Sequence, residues 1–282
     1  MRLKLLEQKI FRILMIGASC LVLGVLLMIV YALLRRGLPA LSWEMITTVP
    51  GGGFYLGKEG GLLNAIVGSL MIMAGATILS LALSVPVVMF LNLYLDKTSR
   101  LAYLVRLSFD VLLGVPSIVY GAFGFMVMVF LGLRASLTGG MIVVSLLIFP
   151  IMARAMDEVA AMFPKEMKEA TLSLGATKFE MVRVVLRQIA PGIATACLLS
   201  VGRAIGDAAA VLFTAGYTDS IPTSPGQPAA TLPLAIFFQL SSPVPQVQDR
   251  AYAAALILTI IVLVLSVLSR WFAHKYQKNK VS

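Results

Sequence analysis

Six runs of apolar residues, at 13–34, 62–95, 111–133, 141–155, 193–213 and 251–272, set the limits on what this chain can become. A helix crosses about 30 Å of hydrocarbon with roughly 20 apolar residues. Most of the runs reach or approach that length; 62–95 is long enough to tilt or project, and 141–155 is short. With 59% hydrophobic and 13% charged residues, the chain falls far below the roughly 25% charge of a soluble domain. The sequence therefore predicts an all-α integral membrane fold with six transmembrane helices.

The charges give the orientation. Of the Lys and Arg residues, seventeen fall on the side that holds both termini, five on the opposite side, and Arg203 within a span. The positive-inside rule then places both termini of this multi-pass chain in the cytoplasm. This distribution also accounts for the net charge of +10 without nucleic acid. Arg2, Lys4, Lys9 and Arg12 precede the first run, but its core of about 22 residues is longer than a signal-peptide core, and Leu33-Leu34-Arg35-Arg36 offers no small-residue cleavage site. We read it as a retained helix.

Several chemistries find no footing. Cys20 and Cys197 both lie in apolar runs and His274 stands alone in a cationic tail, so neither a disulfide framework nor a metal constellation is present. The loop GGFYLGKE at 52–59 nearly spells a phosphate-cradling G-x4-G-K-[ST] motif. Glu59 replaces the hydroxyl residue, no strand precedes the loop, and the topology puts it outside, away from ATP. The chain is expected to bind no cofactor of its own. Residues 215–250 carry six prolines, and their apolar centre, 232–240, is too short to span; it reads as a short helix or re-entrant turn.

The connection between the fourth and fifth runs carries the clearest local signals. Pro164 suits a helix start, Glu166 sits at its positive end, and Gly175 supplies the positive φ that ends it. Thr177 with Glu180 three residues later is a capping box for a second helix, running toward Pro191 and the fifth span. On the first helix Phe163, Met167, Ala170 or Thr171, and Leu174 share a face. Such an amphipathic helix can lie on lipid, pack on its own protein, or enter a groove on a soluble partner.

Glu169-Ala170, then Gly175, then an apolar stretch leading to Pro191-Gly192, resembles the EAA loop of type I ABC importer permeases. Thr171 replaces the second alanine of the motif, and Leu186-Arg187 stands where the family has Leu-Pro. The resemblance implies that Met167, Glu169, Ala170, Leu174 and Gly175 form a coupling helix and corner that dock on a separate ATPase. Asn64 to Ser69, Gly114 to Gly121 and Leu212 to Gly216 further resemble the phosphate-importer permeases, and Thr231 to Phe237 the PstA branch of them. The likeness covers residues 60–272, the permease core; 1–59 is then an N-terminal helix with an external Gly-rich loop, and 273–282 a cytoplasmic basic tail. It implies a non-catalytic subunit working with a homologous permease, two ATP-binding subunits that hold ATP and Mg, and an external phosphate-binding protein.

Arg203 and Asp207 lie within the fifth run, near the expected midplane. Each charge costs roughly 2.5 to 3.5 kcal/mol at a helix centre. One reading is a self-neutralising i,i+4 pair, but such pairs return only about 0.2 to 0.5 kcal/mol on exposed helices, so further partners are needed. The other reading, which the family resemblance favours, is that Arg203 offers its planar fork of donors to a tetrahedral anion in the path while Asp207 positions the fork. Asp207 stands where the family usually has Glu. Pro86, Pro116 and Pro150 are candidate kinks. A permease for another oxyanion or solute, or a stand-alone ion-coupled carrier or channel, are the alternative functions.

Overall fold

A computed structural model describes residues 2–51, 59–96 and 98–277. The Gly-rich stretch 52–58 and the last five residues, which carry the near P-loop and the end of the basic tail, lie outside the described residues. Every element named below is a helix, as the uninterrupted apolar runs require of a chain without a closed barrel.

Helix α1 (Arg2–Ala40) is followed by the short α2 (Trp43–Thr47), whose start is capped by the Ser42 hydroxyl accepting from the Met45 N–H. Helix α3 (Leu63–Met89) continues into a π-helical turn, Phe90–Tyr94. Then follow α4 (Arg100–Leu113), α5 (Ser117–Phe130), α6 (Leu137–Ala161), α7 (Lys165–Ser173), α8 (Lys178–Ala204), α9 (Leu232–Leu240) and α10 (Pro245–Gln277). Helices α1, α3 with its π turn, α6, α8 and α10 are each long and apolar enough to cross a membrane.

The core gathers around α6, which packs on α3 and α8 and touches α4 and α5. Ile148, Met152, Ala153 and Ala160 of α6 are fully buried, and Phe109 of α4 meets Phe149 edge-on at 5.8 Å. A second cluster joins Met45, Leu62, Ala65, Leu232, Ala235 and Ala254, tying α2, α9 and α10 to the start of α3. Helix α1 packs chiefly against α10 and otherwise exposes apolar side chains, as a lipid-facing helix does.

Three expectations are corrected. The run 111–133 is not one straight span: α4 and α5 meet at 101° across Gly114-Val115-Pro116, where Pro116 lacks an N–H and keeps extended backbone before α5. The pair is a broken span or a re-entrant loop, and makes a sixth span only if its two arms are counted together. The short run 141–155 lies inside a longer helix, because Ser136 caps α6 early by accepting from the Gly139 N–H. The fifth run, 193–213, changes most. Its helix begins at the Thr177 capping box, continues through Pro191, and stops at Ala204.

Residues 205–216 then form a series of turns. Non-helical backbone at membrane depth is tolerated where protein covers it. Here Ala210, Val211, Thr214 and Ala215 are buried, and the chain is satisfied locally and across the fold. Thr214 donates its hydroxyl to the Ala210 carbonyl, the Ser136 N–H donates to the Thr214 carbonyl, and the Ala229 N–H to the Ala215 carbonyl. Helix α5 approaches so closely that a Cβ at Gly121 would come within 2.6 Å of the Ala209 carbonyl oxygen.

The apolar centre of 215–250 forms α9, as the sequence predicts. Thr231 caps it, and the Leu232 N–H donates to the Ser69 hydroxyl of α3 at 2.8 Å, so the helix start is buried in the protein.

Candidate functional site

Two regions collect the residues singled out in the sequence. The first is α7 and its corner. Gly175 takes φ +82 with open space where a Cβ would sit, so the backbone conformation alone calls for glycine at the turn. Across it, Thr177 accepts from the Glu180 N–H while Glu180 accepts from the Thr177 N–H and hydroxyl, at 2.8 and 2.9 Å. Those two donors, backbone first, hold the Glu180 carboxyl below its ordinary range. No residue of α7 is buried.

Among its charged residues this corner exposes large apolar side chains. Leu174 is 89% exposed, and Met167, Glu169 and Ala170 are also exposed. Met162 at 81% and Phe179 at 72% are exposed apolar side chains flanking α7 that helix periodicity does not single out. Both lie just beyond the ends of α7, where a single-helix pattern carries no information. Phe163, placed by spacing on the same face as Met167 and Leu174, is instead buried in the core, because it belongs to the turn leaving α6 rather than to α7. Exposed apolar patches on otherwise polar elements mark protein–protein or membrane contact sites in general.

The second region holds Arg203 and Asp207, and it departs from the expected pair. Because α8 ends at Ala204, the two are not stacked one turn apart on a helix. Arg203 sits in the last turn, exposed, where its charge complements the helix dipole. Asp207 is half-buried and turns inward; it accepts from the Ala210 N–H at 2.9 Å, fixing the first turn after the helix. Among the described residues no ion pair joins them.

Asp207 borders a cavity of about 10 Å³ with Ser69, Ile72, Met73, Ala204 and Thr231. That space holds one water at most. Ile72, which borders the same cavity as Asp207, lies nine residues into α3, about 14 Å along its axis. Arg203 itself is exposed, beside the Ala204 that lines this cavity. An arginine left open on a spanning helix needs a further subunit, an anion or water against it.

Residues 89–279 match the family model of binding-protein-dependent transport system inner membrane components. The phosphate transport system permease protein PstA of Haemophilus influenzae is 32% identical over 250 residues, covering 88% of this chain and 87% of its own. PstA 2 of Mycobacterium tuberculosis is 30% identical over 247 residues, covering 85% and 80%. The chain belongs to the PstA permeases of this family. The permease also shares its fold with a solved chain of the MetNI methionine ABC transporter, at a TM-score of 0.63 and 17% identity, over 76% of the permease and 95% of that chain. It is a multi-pass inner-membrane component.

Proposed function

We propose that the chain is one permease half of an ATP-driven phosphate importer, with both termini and α7 in the cytoplasm. A homologous second permease closes the path, two ATP-binding subunits dock on the α7 corner and hold ATP and Mg, and an external phosphate-binding protein delivers the anion. This chain makes and breaks no covalent bond. Residues 60–272 form the working core and 1–59 an adjunct, consistent with α1 resting mainly on α10. The observation that carries the substrate is the identity to phosphate permeases maintained over 88% of the chain.

The geometry gives each charge a task. Arg203, exposed in the last turn of α8, presents parallel N–H donors to a tetrahedral oxyanion, which the point charge of a lysine does not reproduce. Asp207 shapes the turn that lets the helix end there, through its bond to Ala210. A contact made by few donors keeps the anion releasable, as a conduit requires.

ATP-dependent uptake of phosphate by the reconstituted complex, comparing wild type with Arg203→Gln and Arg203→Lys, tests this reading. Both variants are expected to lose uptake by about tenfold or more, the scale of a lost charge-assisted hydrogen bond. Normal uptake and affinity in both would remove Arg203 from the path. Uptake of sulfate or molybdate but not phosphate would reassign the substrate.

A further inference from the structure

The docking corner touches the rest of the molecule at one unusual place. Helix α3 ends in the π turn Phe90–Tyr94, closed by the Leu95 N–H donating to the Phe90 carbonyl. The last carbonyls of a helix lack intrahelical donors and carry its negative dipole end. Two cations from the docking corner meet this end. Lys168 of α7 donates through Nζ to the Asn92 carbonyl at 3.1 Å, and Lys178, at the start of α8, lies 5.4 Å over the Tyr94 ring.

The same Asn92 faces the other way into a buried charge. Its side-chain amide donates at 2.7 Å to Asp157 of α6, which is only 3% exposed. Arg106 of α4 completes that site with a two-point contact: Nε to Oδ2 at 2.8 Å and Nη2 to Oδ1 at 3.1 Å. A buried ion pair is costly to desolvate, and apolar side chains of equal volume commonly stabilise as well or better. Its use here is therefore geometric. It locks α3, α4 and α6 together at the one turn that α7 grips. π turns within α-helices recur at functional positions.

We propose that the π-helical end of α3 is the receiver of α7's motion: Lys168 grips it, and Asn92, Asp157 and Arg106 carry the displacement to α6 and α4 as one body. Lys168 and Asp157 are thus positioning residues for coupling. Without the grip, α7 is left to move against α8, and the bent α4–α5 pair no longer follows it. This rests on the reading of α7 as the ATPase-docking corner.

The test measures phosphate uptake and ATP hydrolysis together in proteoliposomes holding the whole complex, with Lys168→Met, Lys168→Arg and Asp157→Asn. The expected result is that Lys168→Met and Asp157→Asn keep hydrolysis while phosphate moved per ATP falls by about threefold or more, the scale of residues within a coupling network. Lys168→Arg, which can still donate to the Asn92 carbonyl, restores the ratio. Should Asp157→Asn fail to assemble, the two Lys168 variants decide alone. An unchanged ratio in Lys168→Met, or equal loss of both activities without rescue by Lys168→Arg, overturns the proposal. A wild-type complex that hydrolyses ATP without moving phosphate would instead sink the function on which it rests.

Discussion

The α7 corner and the 205–216 segment are both short, non-spanning pieces of a membrane protein, yet opposite forces hold them. The corner takes its shape from bonds within a few residues, a capping box, a positive-φ glycine and a proline start, with no side chain of α7 buried, and meets the rest of the fold through Lys168 on the Asn92 carbonyl and Lys178 over Tyr94. The 205–216 segment is fixed by distant parts of the fold: α5 through Gly121, α6 through Ser136, and the Ala229 strand of chain beyond it. The difference teaches where each can change. A locally fixed, exposed corner can move as a unit when gripped from outside, whereas a segment clasped from three sides keeps a charge at constant depth.

The largest expected effect breaks the clasped side. Gly121→Val puts a branched side chain against the Ala209 and Ala210 carbonyls, neither of which can yield without moving the backbone. Overpacking of this kind costs about 1 to 3 kcal/mol. Thermal unfolding of the purified permease in detergent should shift clearly downward; an unchanged midpoint would mean that α5 does not clasp the segment.

Next in size is Gly175→Val. Space around Gly175 is free, so the penalty comes from its φ of +82 alone, about 1 to 2 kcal/mol for a residue with a Cβ. The global midpoint should barely move, while co-purification of the ATPase subunits falls. A large loss of stability with normal ATPase binding would reverse the contrast between the two regions.

A smaller effect is expected from Thr177→Ala, which removes the N-cap of α8. Amide exchange should quicken over Lys178–Val182 and nowhere in 205–216. The box also has a pH sign. Glu180 is held below its reference value of 4.5, so its contribution is complete above that pH and is lost as pH falls through the lowered value. The protection factor at α8's start should be flat from neutral pH down to the reference value and fall only in stronger acid.

The smallest stability effect belongs to Leu174→Ser. At 89% exposure its loss should stay within about 0.5 kcal/mol, as for ordinary surface changes. ATPase docking should weaken nonetheless, readable as complex recovered per permease.

The same contrast explains what the sequence discloses. Pro164, Gly175 and Thr177–Glu180 encode the corner in local signals, and the structure reproduces each one. The end of α8 at Ala204 was hidden, because Ala208-Ala209-Ala210-Val211-Leu212-Phe213 continues the apolar run while its backbone leaves the helix. Hydropathy reports depth and not conformation, so the Arg203–Asp207 spacing suggested stacking that the turn removes. The bend at Gly114–Pro116 had a visible signal in Pro116, but its 101° depends on how α4 and α5 each settle on α6. Asp157 and Arg106 carry no local pattern: 51 residues separate them, and only the packed fold brings them into contact.

The central claim is that this chain moves its anion only when a separate ATPase grips α7. The direct measurement is uptake of labelled phosphate into proteoliposomes containing both permease halves and the binding protein, with and without the ATP-binding subunits and ATP. The account predicts accumulation that requires both. Equal uptake without them, driven by an imposed ion gradient, would contradict it and make the chain a stand-alone carrier.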